Sequence, residues 1–239
     1  MILVTGDIHR DIERLVKICK IFNTTINDVL IILGDACINY FEDERDEQIK
    51  REIGRLPITL LCIHGNHEAR PSSRNGHHRV GMLGGIVYRD NANSNINFAI
   101  DGEVYDIGGK KALAIGGAYS TDKFIRLMNG NKWFKDEQPD EATRKRVISK
   151  LSDIGHKVDF VMSHTCPKSY IFPDMCKLSS SGMMPESTID YSTEMFLDRV
   201  ELITDYNTWL CGHYHVDAAY KTVKGGELVV MHYRVLQLA

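Results

Sequence analysis

The amino-acid sequence predicts an α/β protein whose strands are buried on both faces. Seven short runs rich in β-branched residues end abruptly in polar or turn-forming residues, which is typical of strands in a parallel sheet. These runs cover residues 2–5, 29–33, 58–63, 112–115, 158–163, 208–211 and 228–232. Helical patterns lie between some of the runs in the first 70 residues, so we expect strands that alternate with helices.

Two amphipathic helices are predicted from the spacing of apolar residues. In the first, apolar side chains recur every three or four residues over residues 12–22, which places them on one face. The second begins after Asp140, and Gly155 is positioned to end it.

Three further segments are predicted from their composition. The charged run 42–52 is predicted to form a solvent-exposed helix face with ion pairs such as Asp46–Lys50. Residues 81–117 lack a helical period, which favours short strands joined by turns. Residues 166–192 are rich in Ser, Pro, Met and Gly, and we expect an irregular excursion across one face of the protein.

The overall composition is that of an ordinary globular protein, and we expect one domain over residues 1–239 because no linker or repeat interrupts the chain. With 29 basic and 32 acidic residues the net charge is −3, so no general positive field favours nucleic acid or anionic membranes. Six cysteines without a C-x-x-C pair favour reduced thiols. The chain contains no membrane-spanning apolar run and no signal-peptide pattern, so we expect a soluble, cytoplasmic protein.

Five polar motifs follow directly after predicted strands. They are Gly6-Asp7-Ile8-His9, Gly34-Asp35, Gly65-Asn66-His67-Glu68, Ser163-His164 and Gly212-His213-Tyr214-His215. In an open α/β sheet, ligands bind outside the carboxyl ends of the strands, so these side chains are expected on one side of the molecule. A single motif of this kind is weak, but five together argue against coincidence.

The metal-ligating side chains in these motifs suit a pair of divalent cations better than one. Two carboxylates, one amide oxygen and four imidazoles are ligands that Mn²⁺, Fe or Zn²⁺ accept. Two such cations with two carboxylates and a hydroxide leave a net positive charge, which favours an anionic phosphoryl group. The candidate ligands are Asp7, His9, Asp35, Asn66, His164, His213 and His215.

In this order the motifs resemble those of the calcineurin-like metallophosphoesterase superfamily, and more closely a group of small bacterial and phage members. The resemblance spans Asp7 to His215. It implies a four-layer α/β/β/α sandwich with two divalent metal ions, Mn²⁺ favoured and Fe, Zn²⁺ or Ni²⁺ also suitable. It also implies a hydrolase that cleaves phosphomonoesters or phosphodiesters through a hydroxide bridging the two metals.

The resemblance further implies a role for each residue of the motifs. Asp35 bridges the two metals, and Asp35 and His67 are the catalytic residues, with His67 contacting the leaving group. Substrate contacts are expected from Asn66 and His67 and, because it follows the candidate ligand His9 rather than from the resemblance, from Arg10. The first metal is held by Asp7, His9, Asp35 and His215, and the second by Asp35, Asn66, His164 and His213.

Among the positions that depart from the family pattern, two concern the phosphoprotein phosphatases of this superfamily. Ile38 stands where those enzymes carry an acidic residue, and Asn39 stands where they carry an arginine that grips phosphate. An asparagine does not replace a bidentate arginine fork. Arg10, which follows a candidate ligand, either grips a substrate phosphate or pairs with a neighbouring acid. A small phosphorylated metabolite or nucleotide is therefore favoured over a phosphoprotein.

Three alternatives remain open from the sequence. The basic segment 70–79 suits a nuclease or phosphodiesterase acting on nucleic acid. A serine/threonine-type protein phosphatase is disfavoured by Ile38 and Asn39. A non-catalytic metal-binding scaffold of the same fold is disfavoured because all seven candidate ligands and His67 are present. The sequence does not predict the oligomeric state.

Overall fold

The computed structural model describes residues 1–71, 76–176 and 188–239, and in them two mixed β-sheets lie between layers of helices. The strands are β1 (Ile2–Thr5), β2 (Val29–Ile32), β3 (Thr59–Cys62), β4 (His77–Met82), β5 (Gly85–Asp90), β6 (Ile96–Ala99), β7 (Val104–Ile107), β8 (Lys110–Ile115), β9 (Phe160–Ser163), β10 (Thr208–Cys211), β11 (Ala218–Lys221), β12 (Glu227–Val230) and β13 (Val235–Gln237). The helices are α1 (Ile12–Phe22), α2 (Glu44–Ile53), α3 (Lys123–Met128), α4 (Glu141–Asp153), α5 (Pro173–Cys176) and α6 (Ser192–Ile203).

Both sheets have a parallel centre and antiparallel edges. The first has the strand order β13-β1-β2-β3-β6-β5-β4, and β1, β2, β3 and β6 run parallel. The second has the order β11-β12-β10-β9-β8-β7, and β12, β10, β9 and β8 run parallel. In each sheet, therefore, several carboxyl ends of central strands point the same way.

Three apolar layers hold the helices and sheets together. The layer between the two sheets joins side chains from both, among them Val4, Ile31, Leu61, Ala114, Met162 and Leu210. A second layer packs α1 and α2 on the first sheet through residues such as Leu15, Ile18, Ile53, Leu30 and Leu60. A third packs α4 and α6 on the second sheet through Val147, Leu151, Leu197, Val200 and Trp209. This is the predicted α/β/β/α sandwich, and the prediction is confirmed.

The predicted elements are present with small shifts at their ends. All seven predicted strands exist, and α1 covers the residues whose apolar spacing predicted it. The side chain of Asp11 caps α1 by accepting a hydrogen bond from Arg14 N at 2.9 Å, and Asp140 caps α4 in the same way. The predicted excursion over 166–192 begins with a short 3-10 turn and α5, and its residues 177–187 lie outside the described part of the chain.

The predicted surface pairing of Asp46 with Lys50 on α2 is wrong, because both side chains are buried. The Asp46 carboxylate accepts hydrogen bonds from backbone N–H groups of the preceding loop, including that of Glu42 at 2.7 Å. Lys50 Nζ lies 3.0 Å from Asp90 Oδ2, at the end of β5. The charged run therefore has a buried polar side that fixes α2 to the loop after β2 and to the first sheet.

The described residues test two expectations, one about the cysteines and one about membrane-spanning helices. Five cysteines, Cys19, Cys37, Cys62, Cys166 and Cys211, are free and buried, and the side chain of Cys176 lies outside the description. Across residues 1–71, 76–176 and 188–239, no helix combines the length and the apolar character needed to cross a bilayer.

Replacing Lys50 by methionine is expected to lower the free energy of unfolding by about 3 kcal/mol at pH 7, because Asp90 is then buried without its partner. Although burial acts to raise it, the Lys50 ammonium holds the pKa of Asp90 below its usual value. The contribution of the pair is complete above the pKa of an unfolded aspartate, about 3.9, and is lost as the pH falls through the lower folded-state pKa. Urea unfolding at pH 7 and pH 3 checks this, and the two proteins should differ less at pH 3.

The matched control is Lys145→Met, which removes an exposed lysine whose Nζ lies 3.6 Å from Glu141 on α4. Its expected effect is about 0.5 kcal/mol or less. Equal losses in the two variants would contradict the role assigned to the buried pair.

Candidate metal centre

The five polar motifs form loops that meet where the two sheets end. Three loops leave β1, β2 and β3 of the first sheet, and two leave β9 and β10 of the second. Glycine allows these loops to interlock: a Cβ on Gly65 would lie 2.0 Å from Asp35 Oδ1, and one on Gly212 would lie 2.2 Å from Asp7 Oδ1. The motifs are thus in direct contact although they are far apart in the sequence.

The first group of candidate ligands consists of Asp7, His9 and His215, whose ligand atoms all lie within 4.8 Å of one another. His215 Nε2 is 3.1 Å from Asp7 Oδ2, and His9 Nε2 is 3.6 Å from the same oxygen. The two imidazole Nε2 atoms are 3.0 Å apart. His9 and His215 are partly open to solvent, whereas Asp7 is buried.

The second group consists of Asp7, Asp35 and His164, all buried, again with ligand atoms within 4.8 Å. Asn66 Oδ1 lies 2.8 Å from His164 Nε2, and the rings of His164 and His213 are 5.0 Å apart between centroids. The structure therefore brings all seven predicted ligands together at one place. Their role as ligands stays a prediction.

The two aspartates are held by the backbone of neighbouring loops. Asp7 Oδ1 accepts a hydrogen bond from His213 N, and Asp35 Oδ1 accepts one from His67 N, each at 2.9 Å. Burial acts to raise the pKa of Asp7, but hydrogen bonds with His215 and His9 hold it well below its usual value. Both carboxylates are thus presented as fixed negative charges.

Four of the candidate ligands have left-handed backbone, which non-glycine residues rarely adopt. The φ angles are 47° for His9, 48° for Asp35, 68° for His213 and 54° for His215. Such conformations cost about 1–3 kcal/mol each and persist where the surroundings enforce them, most often at functional sites. The strain indicates that these side chains are placed for a purpose other than stability.

The lone pairs of the candidate ligands are suited to binding divalent cations. His164 Nδ1 donates to the Leu33 carbonyl at 2.8 Å, and in the tautomer with its proton on Nδ1 the lone pair of Nε2 faces Asn66 Oδ1, another acceptor, at 2.8 Å. Burial lowers the pKa of His213 to about 3, so its imidazole is neutral and has a free lone pair. Oxygen and nitrogen acceptors that crowd together in this way are compatible with a shared positive ion.

Two residues that the sequence did not single out orient Asn66. Its Nδ2 donates to Ser120 Oγ at 3.0 Å, and Ser120 Oγ donates to Glu137 Oε2 at 2.6 Å. This relay fixes which end of the amide faces His164. The sequence feature that could have pointed to Ser120 is its position a few residues beyond the carboxyl end of β8.

Glu68 joins two of the loops through hydrogen bonds to their backbone. Its carboxyl group accepts hydrogen bonds from Gly65 N at 3.2 Å and Cys37 N at 3.1 Å. Burial, and then the nearby charge of Asp35, raise the pKa of Glu68 to about 8. At neutral pH the group therefore links the loops without adding a full negative charge to the centre.

A pocket of about 310 Å³ opens beside the first group, and its walls include Arg10, Tyr40, His67, Asp122, Ile125 and Arg126. His67 Nε2 lies 3.2 Å from both Asn66 Nδ2 and Arg126 Nη2, two donors, and burial lowers the pKa of His67. The ring therefore accepts these bonds as a neutral imidazole. Arg126 was missed by the sequence analysis, although it is the one charge within an apolar run of five residues, 124–128.

The remaining predicted positions lie away from this pocket. Ile38 and Asn39 are buried and are not among its walls. Within the basic segment 70–79, residues 72–75 lie outside the described residues, and Arg70 Nη1 forms an ion pair with Asp101 at 2.5 Å. That pairing favours a structural role for Arg70 over a contact with nucleic acid.

Comparisons with known proteins give one family match and several structural ones. A family model described as calcineurin-like phosphoesterase matches residues 1–217. The crystal structure of TT1561 of Thermus thermophilus is similar at 11% identity and a TM-score of 0.54, covering 97% of this chain and 89% of that one. A second solved structure has 13% identity, a TM-score of 0.50 and coverage of 95% and 88%.

A third solved structure, of phosphopantetheinyl hydrolase (PptH) from Mycobacterium tuberculosis, has 14% identity, coverage of 97% and 89% and a TM-score of 0.44. No curated protein sequence matches the chain. At these identities the similarity of the first two structures concerns the fold alone.

Addition of Mn²⁺ to metal-free protein is expected to raise the midpoint of thermal unfolding. Binding to the folded state adds about 2.7 kcal/mol at a hundredfold excess over Kd, or about 5–10 °C for a chain of this size. His164→Asn should lose most of this increase, whereas His78→Asn, an exposed histidine outside the centre, should keep it. Equal increases in the wild type and His164→Asn would contradict the assignment.

Ser120→Ala is expected to weaken metal binding by about tenfold, because the residue that orients a ligand contributes on that scale. Calorimetric titration with Mn²⁺ measures the change. Ser149→Ala, at an exposed position on α4, serves as the control and should bind as the wild type does. Unchanged affinity in Ser120→Ala would mean that Asn66 is oriented by other contacts.

Proposed function

The chain belongs to the calcineurin-like phosphoesterase family, whose model matches residues 1–217, and on that premise we propose that it is a dinuclear, metal-dependent hydrolase of phosphoesters. The observation that carries the proposal is the presence of two adjacent groups of metal-ligating side chains that share Asp7. Each group is formed by loops from more than one strand, as a site that binds two cations side by side requires.

Each metal is assigned its own set of side chains in this proposal. Although Asp7 belongs to both groups, Asp35 would be the bridging ligand, because its two oxygens face different halves of the centre. Its Oδ2 is 3.9 Å from His9 Nε2, and its Oδ1 is 3.7 Å from His164 Nε2. The first cation would be held by Asp7, His9, Asp35 and His215, and the second by Asp35, Asn66, His164 and His213. Manganese is the proposed metal, since this mixture of carboxylate, amide and imidazole ligands suits it.

When bound, the cations supply Lewis acidity to the phosphoryl group and a hydroxide nucleophile near neutral pH. The protein supplies the orientation. Arg10 lies in the pocket wall beside His9, where its guanidinium can bind the non-bridging phosphoryl oxygens. His67 lines the same pocket. When its ring takes up a proton, Nε2–H can donate that proton to the leaving-group oxygen, and Nδ2 of Asn66 lies beside it.

The proposed substrate is a small phosphorylated metabolite or nucleotide. The pocket beside the metal centre has a volume of about 310 Å³, which is at the low end for small-molecule sites. Asn39 is fully buried, so it does not take the place of a phosphate-gripping arginine, which speaks against phosphoprotein substrates.

The five free, buried cysteines are consistent with action in the cytoplasm, which we propose together with a single catalytic domain.

Hydrolysis of p-nitrophenyl phosphate and bis-p-nitrophenyl phosphate by the Mn²⁺-loaded protein tests the proposal. Asp35→Asn is expected to lower kcat/KM by about a thousandfold or more, because it removes the proposed bridging ligand. Asparagine is chosen because it tolerates the left-handed backbone at this position. Asp153→Asn, at an exposed position at the end of α4, should keep full activity.

The outcome separates the proposal from its rivals. A wild-type protein that binds Mn²⁺ but hydrolyses neither ester would favour a non-catalytic scaffold. Strongly salt-dependent binding of DNA or RNA together with diester cleavage would favour a nuclease. Activity retained in a contaminant-free Asp35→Asn protein would contradict the dinuclear assignment.

A further inference from the structure

The short helix α3 presents an arginine to the pocket and apolar side chains to solvent. Within this helix Phe124, Leu127 and Met128 are exposed at 45, 51 and 82%, whereas the Arg126 side chain is only 18% exposed. A surface helix normally shows the reverse pattern, with its charges outward. The inward arginine therefore calls for a reason other than the stability of the helix.

The guanidinium of Arg126 is held in a fixed orientation. Its Nε donates to Asp122 Oδ2 at 2.7 Å, and its Nη1 donates to Tyr40 OH at 3.3 Å. Its Nη2 lies 3.2 Å from His67 Nε2, the atom proposed to meet the leaving group. A guanidinium has five N–H donors, so these contacts leave others for a bound anion. Such a preorganised fork matches the oxygens of a phosphate.

A second guanidinium faces the same pocket. Arg10 lies over the rings of Tyr40 and Phe41, at 4.5 and 4.6 Å from their centroids. Its Nη1 is buried and has no hydrogen-bond partner among the residues that the structure describes. Both arginines line the pocket, whose wall also carries the carboxylate of Asp122. The two guanidinium groups exceed the single carboxylate by one positive charge, so the pocket favours an anion.

We propose that Arg126 is a substrate-binding residue that selects a terminal, dianionic phosphate, and that Arg10, which lines the same pocket, shares this role. The inference rests on the proposed phosphoesterase function and makes it more specific: the substrates are phosphomonoesters. A diester carries one negative charge, and its second ester group would have to occupy the space that Arg126 reserves for phosphate oxygens. Binding by two guanidiniums is thus stronger for the monoester.

The rival explanation is that Arg126 only positions His67. The two roles differ in what they change. Loss of a positioning residue lowers kcat for both esters and leaves the affinity for phosphate unchanged. Loss of a phosphate-binding residue raises KM for the monoester and weakens the binding of inorganic phosphate.

The experiment compares Arg126→Met with the wild type in the Mn²⁺-loaded protein. We expect KM for p-nitrophenyl phosphate to rise about tenfold or more, as loss of a charge-assisted hydrogen bond implies. The Kd of inorganic phosphate, measured by calorimetric titration, should rise by a similar factor. The kcat/KM for bis-p-nitrophenyl phosphate should change less than about threefold. Arg126→Lys should restore part of the affinity, since it keeps the charge without the fork.

The control is Arg51→Met, which makes the same change in net charge at an exposed ion pair on α2. It should leave both KM and phosphate affinity unchanged. No side chain of α3 is buried, so Arg126→Met should fold, and its thermal midpoint verifies this. Equal effects on both esters, or unchanged phosphate affinity in Arg126→Met, would overturn the inference. A wild type inactive toward both esters would refute the proposed function, and phosphate titration would still decide the role of Arg126.

Discussion

Two buried carboxylates at the junction of the sheets are the constraint on which the rest of the site depends. Asp7 and Asp35 are each 1% exposed, and a buried charge without compensation is costly. The two charges are compensated by hydrogen bonds from backbone N–H groups of neighbouring loops and by the surrounding imidazoles. The same arrangement that makes the carboxylates tolerable leaves a cluster of acceptor atoms, which is what binds divalent cations.

The two-sheet architecture is needed because neither sheet carries the whole set of candidate ligands. Asp7, Asp35 and Asn66 follow strands of the first sheet, and His164 and His213 follow strands of the second. The apolar layer between the sheets therefore sets the distance between the two halves of the centre. Packing between the sheets therefore helps to fix the distances within the site, because protein interiors packed at crystal-like density do not shift freely.

Much of this could be predicted from the sequence, because strand ends and their polar motifs are local patterns. The rule that parallel strands deliver their carboxyl ends to one edge was sufficient to place Asp7 beside Asp35. The contacts of Arg126, Ser120 and Lys50 could not be predicted in this way. Each depends on a partner more than 30 residues away in the sequence, and only the assembled sheets show which partner that is.

The exposure of the α3 side chains has a consequence for how ligands enter and leave the pocket. No side chain of this helix is buried, and elements with few buried contacts open locally at little free-energy cost. Its amide hydrogens would then exchange with solvent long before those of the central strands. Local opening of this short helix would widen the pocket, while the loops that carry the aspartates keep their places.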